Sequence, residues 1–376
     1  MSAPVPNPLL ELRKLGQSAW LDDISRRMLR EGTLARLIRD DRIAGLTSNP
    51  AIFGNAITTD PEYARPIAEL LPRVSSSLAL YEELAIEDLR AAAALLRPLY
   101  DSSSGGDGFV SMEVSPHLAY DGPGSLAEAR RLWERLQLPN ALIKIPGTEA
   151  GLPVIRELVA AGINVNVTLL FSPERYRAVA RAYMGGLEAR AAAGQSLETL
   201  ASVASFFLSR IDTAVDRLLD ALAARGQPAA RALRGKAAIA SACRAYEIFE
   251  ETIATREWQS LAERGARPQR LLWASTSTKD PSYGPVKYIE ELIVPKTVNT
   301  MPLETLDAYR RLGRPELRLE RHIAEGCDTR EALERLDIDL DAVAQQLERE
   351  GVMKFIEPFD KMQAWLEERR RAKRAS

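Results

Sequence analysis

Eight short apolar runs, each trailed by an amphipathic helical stretch, constrain this chain more than any other feature. They fall at residues 18–22, 43–48, 109–115, 141–145, 163–168, 202–206, 270–275 and 296–300. Strand-length runs alternating with helical patterns are the signature of parallel βα units. Eight is also the number that a closed (β/α)8 barrel requires. No repeat of solenoid period is present.

At ~150 residues per domain, a chain of this length would hold two or three domains. A single barrel with insertions also fills it, and residues 1–376 are read here as one barrel domain. Helical insertions are expected at about 58–99 and 217–264, and C-terminal helices at about 340–371. The helix at 78–97 should enter at Ser75, Ser76 and Ser77 and stop before Pro98. Another at 302–312 begins with Pro302 and ends at Gly313. Loops are expected at 101–108 and 225–227. Phe355, Phe359, Met362 and Leu366 fall on one helical face, and Pro358 should kink that helix or mark its first turn.

Composition removes several function classes. The chain is 46% hydrophobic and 27% charged, an ordinary balance with material for a large core. Fifty Lys+Arg against 52 Asp+Glu give no bulk attraction to nucleic acid or to an anionic membrane. The basic run at 369–374 reads as a solvated helix end. Cys243 and Cys327 exclude a disulfide scaffold and fit a reducing, cytoplasmic setting. His117 and His322 are the only histidines, which leaves little for a metal site or a Ser-His-Asp apparatus. His117 reads as a loop or rim residue, and His322 has no obvious partner. The opening residues lack an apolar leader core, and the longest apolar stretch, 158–171, is broken by Asn164 and Asn166. Neither a secretion signal nor a membrane span is expected. No GxxxxGK[ST] loop occurs.

The chemistry shows in the strand alternation. In 141–145, Ile143 and Ile145 share one face, and Lys144 lies on the other with Leu142. An ammonium in the middle of an apolar strand is costly to bury without partners. Desolvation favours the neutral amine, the form that attacks a carbonyl. Alone, Lys144 reads first as an edge-strand lysine or half of a structural ion pair, since isolated strand lysines are common at edges. Its neighbours alter that. Ser111, Glu113 and Ser115 share the polar face of their strand, Asn164, Asn166 and Thr168 that of theirs, and Thr47 and Asn49 fall on one side of the second. The first run ends in Asp22-Asp23. If those faces converge, they form a polar pocket around Lys144 at the strand ends, where such barrels place active sites. An antiparallel sheet with a solvated face is the alternative, and the intervening helices argue against it. Arg210 opens a helix after a strand, and Ser275 to Lys279 follow another strand with hydroxyls and a cation. Both are candidate anion sites.

These segments resemble the transaldolase family. The resemblance is carried by LTSNPAIF (46–53), SMEVSPHLAYD (111–121), ALIKIPGT (141–148), GINVNVTLLFS (162–172), ASFFLSRID (204–212), LWASTSTKDPSY (272–283), VPKTVNTMP (294–302) and GVMKFIEPFDKM (351–362). It spans about residues 15–366 and is similar to the longer bacterial branch of the family. It implies a (β/α)8 TIM barrel of the class I aldolase type. It also implies Schiff-base transfer of a dihydroxyacetone unit from sedoheptulose 7-phosphate or fructose 6-phosphate to glyceraldehyde 3-phosphate or erythrose 4-phosphate, in the cytoplasmic non-oxidative pentose phosphate pathway.

By that resemblance Lys144 is the Schiff-base lysine, and Asp22, not Asp23, is the acid–base aspartate. Glu113 and Thr168 hold the catalytic water. Thr47, Asn49 and Asn166 orient the sugar and the Schiff base, Ser205 and Phe207 line the pocket, and Arg210 and Ser275 bind phosphate. Many family members carry an Arg where this chain has Ser277, and Lys279 is expected to supply that charge. No metal and no diffusible cofactor are implied. The nearest rival activity is a fructose-6-phosphate aldolase on the same barrel, and a non-catalytic phosphosugar-binding barrel is a second. The inserted helices leave open a homodimer surface or a lid.

Overall fold

A computed structural model describes residues 7–375. The opening residues read above for a leader therefore lie partly outside the described residues. The strands are β1 (Gln17–Asp22), β2 (Leu46–Thr47), β3 (Val110–Glu113), β4 (Ala141–Pro146), β5 (Val165–Leu170), β6 (Ser202–Phe207), β7 (Arg270–Ala274) and β8 (Thr297–Met301). All eight expected runs are present. They form one sheet in the order β2-β1-β8-β7-β6-β5-β4-β3, and every pairing is parallel. A parallel bridge between Gly45 and Phe109 joins the outermost strands and closes the barrel. It is held by Leu46 N donating to Phe109 O at 2.8 Å and Gly108 N donating to Ala44 O at 2.7 Å.

Parallel strands need crossover connections, and helices supply them. Their apolar stripes meet the outer faces of the strands in one large core containing Leu21, Ile143, Val167 and Leu271. The interior follows the two-residue period of the strands. Trp20, Leu142, Val203, Leu272 and Val298 form a separate apolar plug with Ala44, Phe109 and Ala274. Below it, Arg270 bonds Ser18 Oγ at 2.6 Å and Asp107 Oδ1 at 3.1 Å. One alternation above it, the interior turns polar. Asp22 stands above Trp20, Lys144 above Leu142, Ser205 above Val203, and Thr300 above Val298. Gly45 permits the plug, because a Cβ there would overlap the Trp20 indole.

The insertions are helical, with helices Ala64–Leu70 and Ser77–Ser102 in the first and Ala237–Ile253 and Arg256–Glu263 in the second. Ser76 caps the long helix by accepting from Ala79 N at 3.1 Å. That helix does not stop before Pro98. It continues to Ser102, since Pro98 and Ala94, whose carbonyl loses its donor, are both exposed and water serves instead. Likewise the C-terminal segment is a single helix, Leu340–Ala375, with Pro358 well inside it and not at its first turn. The carbonyl that Pro358 leaves unpaired belongs to the exposed Lys354. This helix lies across the mouth of the barrel at the strand C-termini. Its Phe359 meets Tyr81 edge-on with ring centroids 5.7 Å apart, and its Asp360 bonds His117 Nε2 at 2.7 Å. His117 is thus a rim residue. His322 lies between Glu291 and Glu325, so it is not without partners. Among the described residues no helix is long and apolar enough to cross a membrane.

Candidate active site

Lys144 leaves β4 one alternation above the apolar plug and is 5% exposed. Its Nζ donates to Ser48 O at 2.6 Å and to Glu113 Oε2 at 3.3 Å. Glu113 reaches it because β3 and β4 pair with these two residues in register. The Phe355 ring, from the C-terminal helix, lies over the amine with its centroid 5.9 Å from Nζ. The amine is therefore dry and hydrogen-bonded, and not at a sheet edge.

Two carboxyl groups share this space. Burial raises the Glu113 pKa, while the Lys144 charge and the bonds from Lys144 and Thr168 pull it down. Thr168 Oγ1 donates to Glu113 Oε1 at 3.4 Å. Directly after Thr168 the register shifts between Val167 and Leu170, and Leu169 takes a left-handed φ of 60°. This bulge interrupts the β5–β6 pairing beside the residue that touches Glu113, and pairing resumes at Leu170. Asp22, half-buried, is also raised by desolvation, against the Thr47 hydroxyl and the Lys144 charge. Thr47 Oγ1 donates to Asp22 Oδ1 at 2.6 Å. Asp23 is raised chiefly by burial and has no such hydroxyl partner.

A second string of side chains runs along the same wall, where Asn166 pairs in register with Lys144. Ser205 Oγ donates to Asn166 Oδ1 at 2.8 Å, and Asn166 Nδ2 donates to Ser111 Oγ at 3.2 Å. These bonds fix which way the Asn166 amide faces. Asn49 is committed differently: its Oδ1 accepts from Ala51 N and Ile52 N at 3.0 Å each, capping the helix Pro50–Thr59. Only its amide NH2 is left for a ligand.

The anion candidates stand toward the rim. Arg210, in the first turn of helix Ser209–Ala224, sits over the Phe207 ring at 5.5 Å, and its NH1 is buried with no hydrogen-bond partner. Burial presses its pKa down, and Glu350 on the C-terminal helix opposes that. Ser275 has a left-handed φ of 55°, a conformation uncommon outside glycine. There its Oγ lies 2.9 Å from Ser209 Oγ, so the end of β7 is tied to the start of the Arg210 helix. Lys279 lies on the exposed loop beyond and donates to Ser277 Oγ at 2.7 Å. The structure therefore joins Lys144, Glu113, Thr168, Asp22 and Thr47 into one cluster and Asn166 with Ser205 into another. Arg210, Phe207 and Ser275 form a third at the rim, and Lys279 stands apart from all of them. A cleft of about 330 Å³ lined by Glu149, Phe171, Arg175 and Glu348 opens beside the mouth, not over Lys144.

Three contributors escaped the sequence reading. Thr300 Oγ1 lies 2.7 Å from Thr47 Oγ1, and the step of two from apolar Val298 would have found it. The Ser48 carbonyl is main chain and carries no side-chain signal. Phe355 was placed on an apolar face, but nothing in the sequence said that this face covers Lys144. Among the described residues no group of three His, Cys, Asp or Glu could hold a metal ion.

Comparison with known proteins agrees with this geometry. A family model described as Transaldolase/Fructose-6-phosphate aldolase matches residues 19–366. A transaldolase of Thiobacillus denitrificans is 48% identical over 345 residues, 92% of this chain and 95% of the relative. Transaldolase 2 of a Nostoc species is 44% identical over 369 residues, covering 96% and 97% of the two chains. A transaldolase of Frankia alni is 46% identical over 357 residues, covering 95% of each. A barrel with a dry, carboxylate-paired lysine and a match of this extent lead to one conclusion: the chain belongs to the transaldolase/fructose-6-phosphate aldolase family.

Proposed function

We propose that Lys144 is the nucleophile of a transaldolase and that the surrounding polar cluster divides the proton transfers. The reading is carried by one observation, an amine kept dry between Glu113 and the Ser48 carbonyl beneath Phe355. Lys144 Nζ adds to the C2 ketone of a ketose phosphate such as fructose 6-phosphate or sedoheptulose 7-phosphate. Water leaves, and the protonated imine becomes an electron sink beside the C3–C4 bond. Asp22 takes the C4 hydroxyl proton, the C3–C4 pair flows toward the imine, and an aldose phosphate departs. The enamine carbon then attacks the aldehyde of a second aldose phosphate, glyceraldehyde 3-phosphate or erythrose 4-phosphate, and Asp22 returns the proton to its oxygen. Hydrolysis of the new imine frees Lys144.

Glu113, whose raised pKa keeps it able to hold a proton, acts with Thr168 as acid and base toward the water that leaves and returns. Asn166, Asn49 and Ser205 orient the sugar. Arg210 and Ser275 bind the phosphate, so that remote binding energy places the carbonyl. The setting is the cytoplasmic pentose phosphate pathway.

Product analysis separates transfer from simple cleavage. Fructose 6-phosphate plus erythrose 4-phosphate should yield sedoheptulose 7-phosphate and glyceraldehyde 3-phosphate with little free dihydroxyacetone. Release of dihydroxyacetone at the same rate with and without acceptor would make the protein an aldolase.

A further inference from the structure

Thr47 has one hydroxyl proton and two oxygen neighbours. Its Oγ1 lies 2.6 Å from Asp22 Oδ1 and 2.7 Å from Thr300 Oγ1. An ionised carboxylate can only accept, so the Thr47 proton points at Asp22. The bond to Thr300 must then run the other way, with Thr300 donating to Thr47. Thr300 is itself fixed. It is 3% exposed, its strand pairs it with Trp20, and its carbonyl accepts Thr276 Oγ1 at 2.8 Å.

We propose that Thr300 is a positioning residue that aims the single hydroxyl proton of Thr47 at Asp22. It does not touch the substrate. It fills the acceptor side of Thr47, holds the side chain in one rotamer, and polarises its O–H so that the bond to the carboxylate is stronger. The ionised form of Asp22, the form that accepts a proton from the C4 hydroxyl, is thereby favoured in a site whose desolvation works against it.

The other groups facing Asp22 are Lys144 from β4, whose charge favours ionisation, and Glu113 from β3 and Asp23 beside it, whose charges oppose it. None of these can replace the donor to Thr47. The inference rests on the reading of Asp22 as the acid–base group.

The test compares Thr300→Val, which keeps the shape and removes the hydroxyl, with Thr300→Ser, which restores it. In Thr300→Val the acidic limb of the kcat/KM profile should move up by about 0.5 pH. On that limb cleavage should slow about threefold, the rate equivalent of the shift, with KM unchanged. Borohydride trapping at Lys144 should stay at wild-type yield, and Thr300→Ser should recover both the profile and the rate. An unshifted acidic limb with normal trapping, or a loss in Thr300→Val that Thr300→Ser does not recover, would overturn the role of Thr300 alone. Absence of a trapped adduct in the wild-type protein would overturn the reading of the site and this inference with it.

Discussion

Lys144 and Glu113 face each other across one rung of the β3–β4 ladder, with Nζ 3.3 Å from Oε2. Adjacent parallel strands in register place these side chains on the same interior level. The ion pair therefore follows from strand pairing and needs no loop to assemble it.

That placement makes stability depend on pH. Burial raises the Glu113 pKa above its ordinary value. Between those two values the folded protein holds a proton that the unfolded chain has released, so stability falls as pH rises through that window. Glu113→Gln should flatten this fall and gain thermal stability relative to wild type as pH increases. Melting temperatures of both proteins, followed upward from about pH 4, the ordinary carboxylate value, check this. A parallel pair of curves would contradict it.

Arg210 should act on phosphorylated substrates alone. Its buried NH1 lacks a partner, and a phosphate oxygen is a charged acceptor for it. Arg210→Ala should lower kcat/KM for fructose 6-phosphate roughly tenfold to a hundredfold, the worth of one or two charged hydrogen bonds. The rate with unphosphorylated fructose should stay within about twofold on the same argument. Equal losses on both sugars would exclude a phosphate contact.

Phe355 should keep water from the enamine. Its ring lies over Lys144, and closing a site against water suppresses hydrolysis of reactive intermediates. Phe355→Leu shortens the cover while keeping it apolar. The ratio of free dihydroxyacetone to transferred product should rise several-fold. An unchanged ratio with normal turnover would show that the C-terminal helix does not shield the intermediate.

Gly45 should tolerate no side chain. A methyl group there meets the Trp20 indole inside the barrel plug. Gly45→Ala should destabilise the fold by about 2 kcal/mol, as overpacking does. Urea unfolding measures it, and a loss below about 0.5 kcal/mol, the ordinary range for surface changes, would contradict the packing account.

Strand alternation made much of this site legible. Lys144, Glu113 and Ser205 lie an even number of residues from the interior apolar residues Leu142, Phe109 and Val203, and Asn166 shares a polar face with Thr168 that alternates with the outward Val165 and Val167. Thr300 was legible by the same rule, two residues beyond interior Val298, although polar Thr297 and Asn299 on the other face blur the contrast in that run. The Ser48 carbonyl is invisible because every residue has one. Phe355 reaches Lys144 only because the last helix folds back across the mouth, a long-range contact that local periodicity does not encode. The proline stops failed for a physical reason: Pro98 and Pro358 each free a carbonyl on an exposed residue, where water replaces the lost bond.

The central claim is that Lys144 forms a covalent imine with a ketose phosphate. Borohydride reduction in the presence of fructose 6-phosphate, followed by peptide mass analysis, tests it most directly. A reduced three-carbon or hexose phosphate adduct on Lys144, absent in Lys144→Ala together with all transfer activity, is the expected result. Full activity in Lys144→Ala, or an adduct on another lysine, would contradict it.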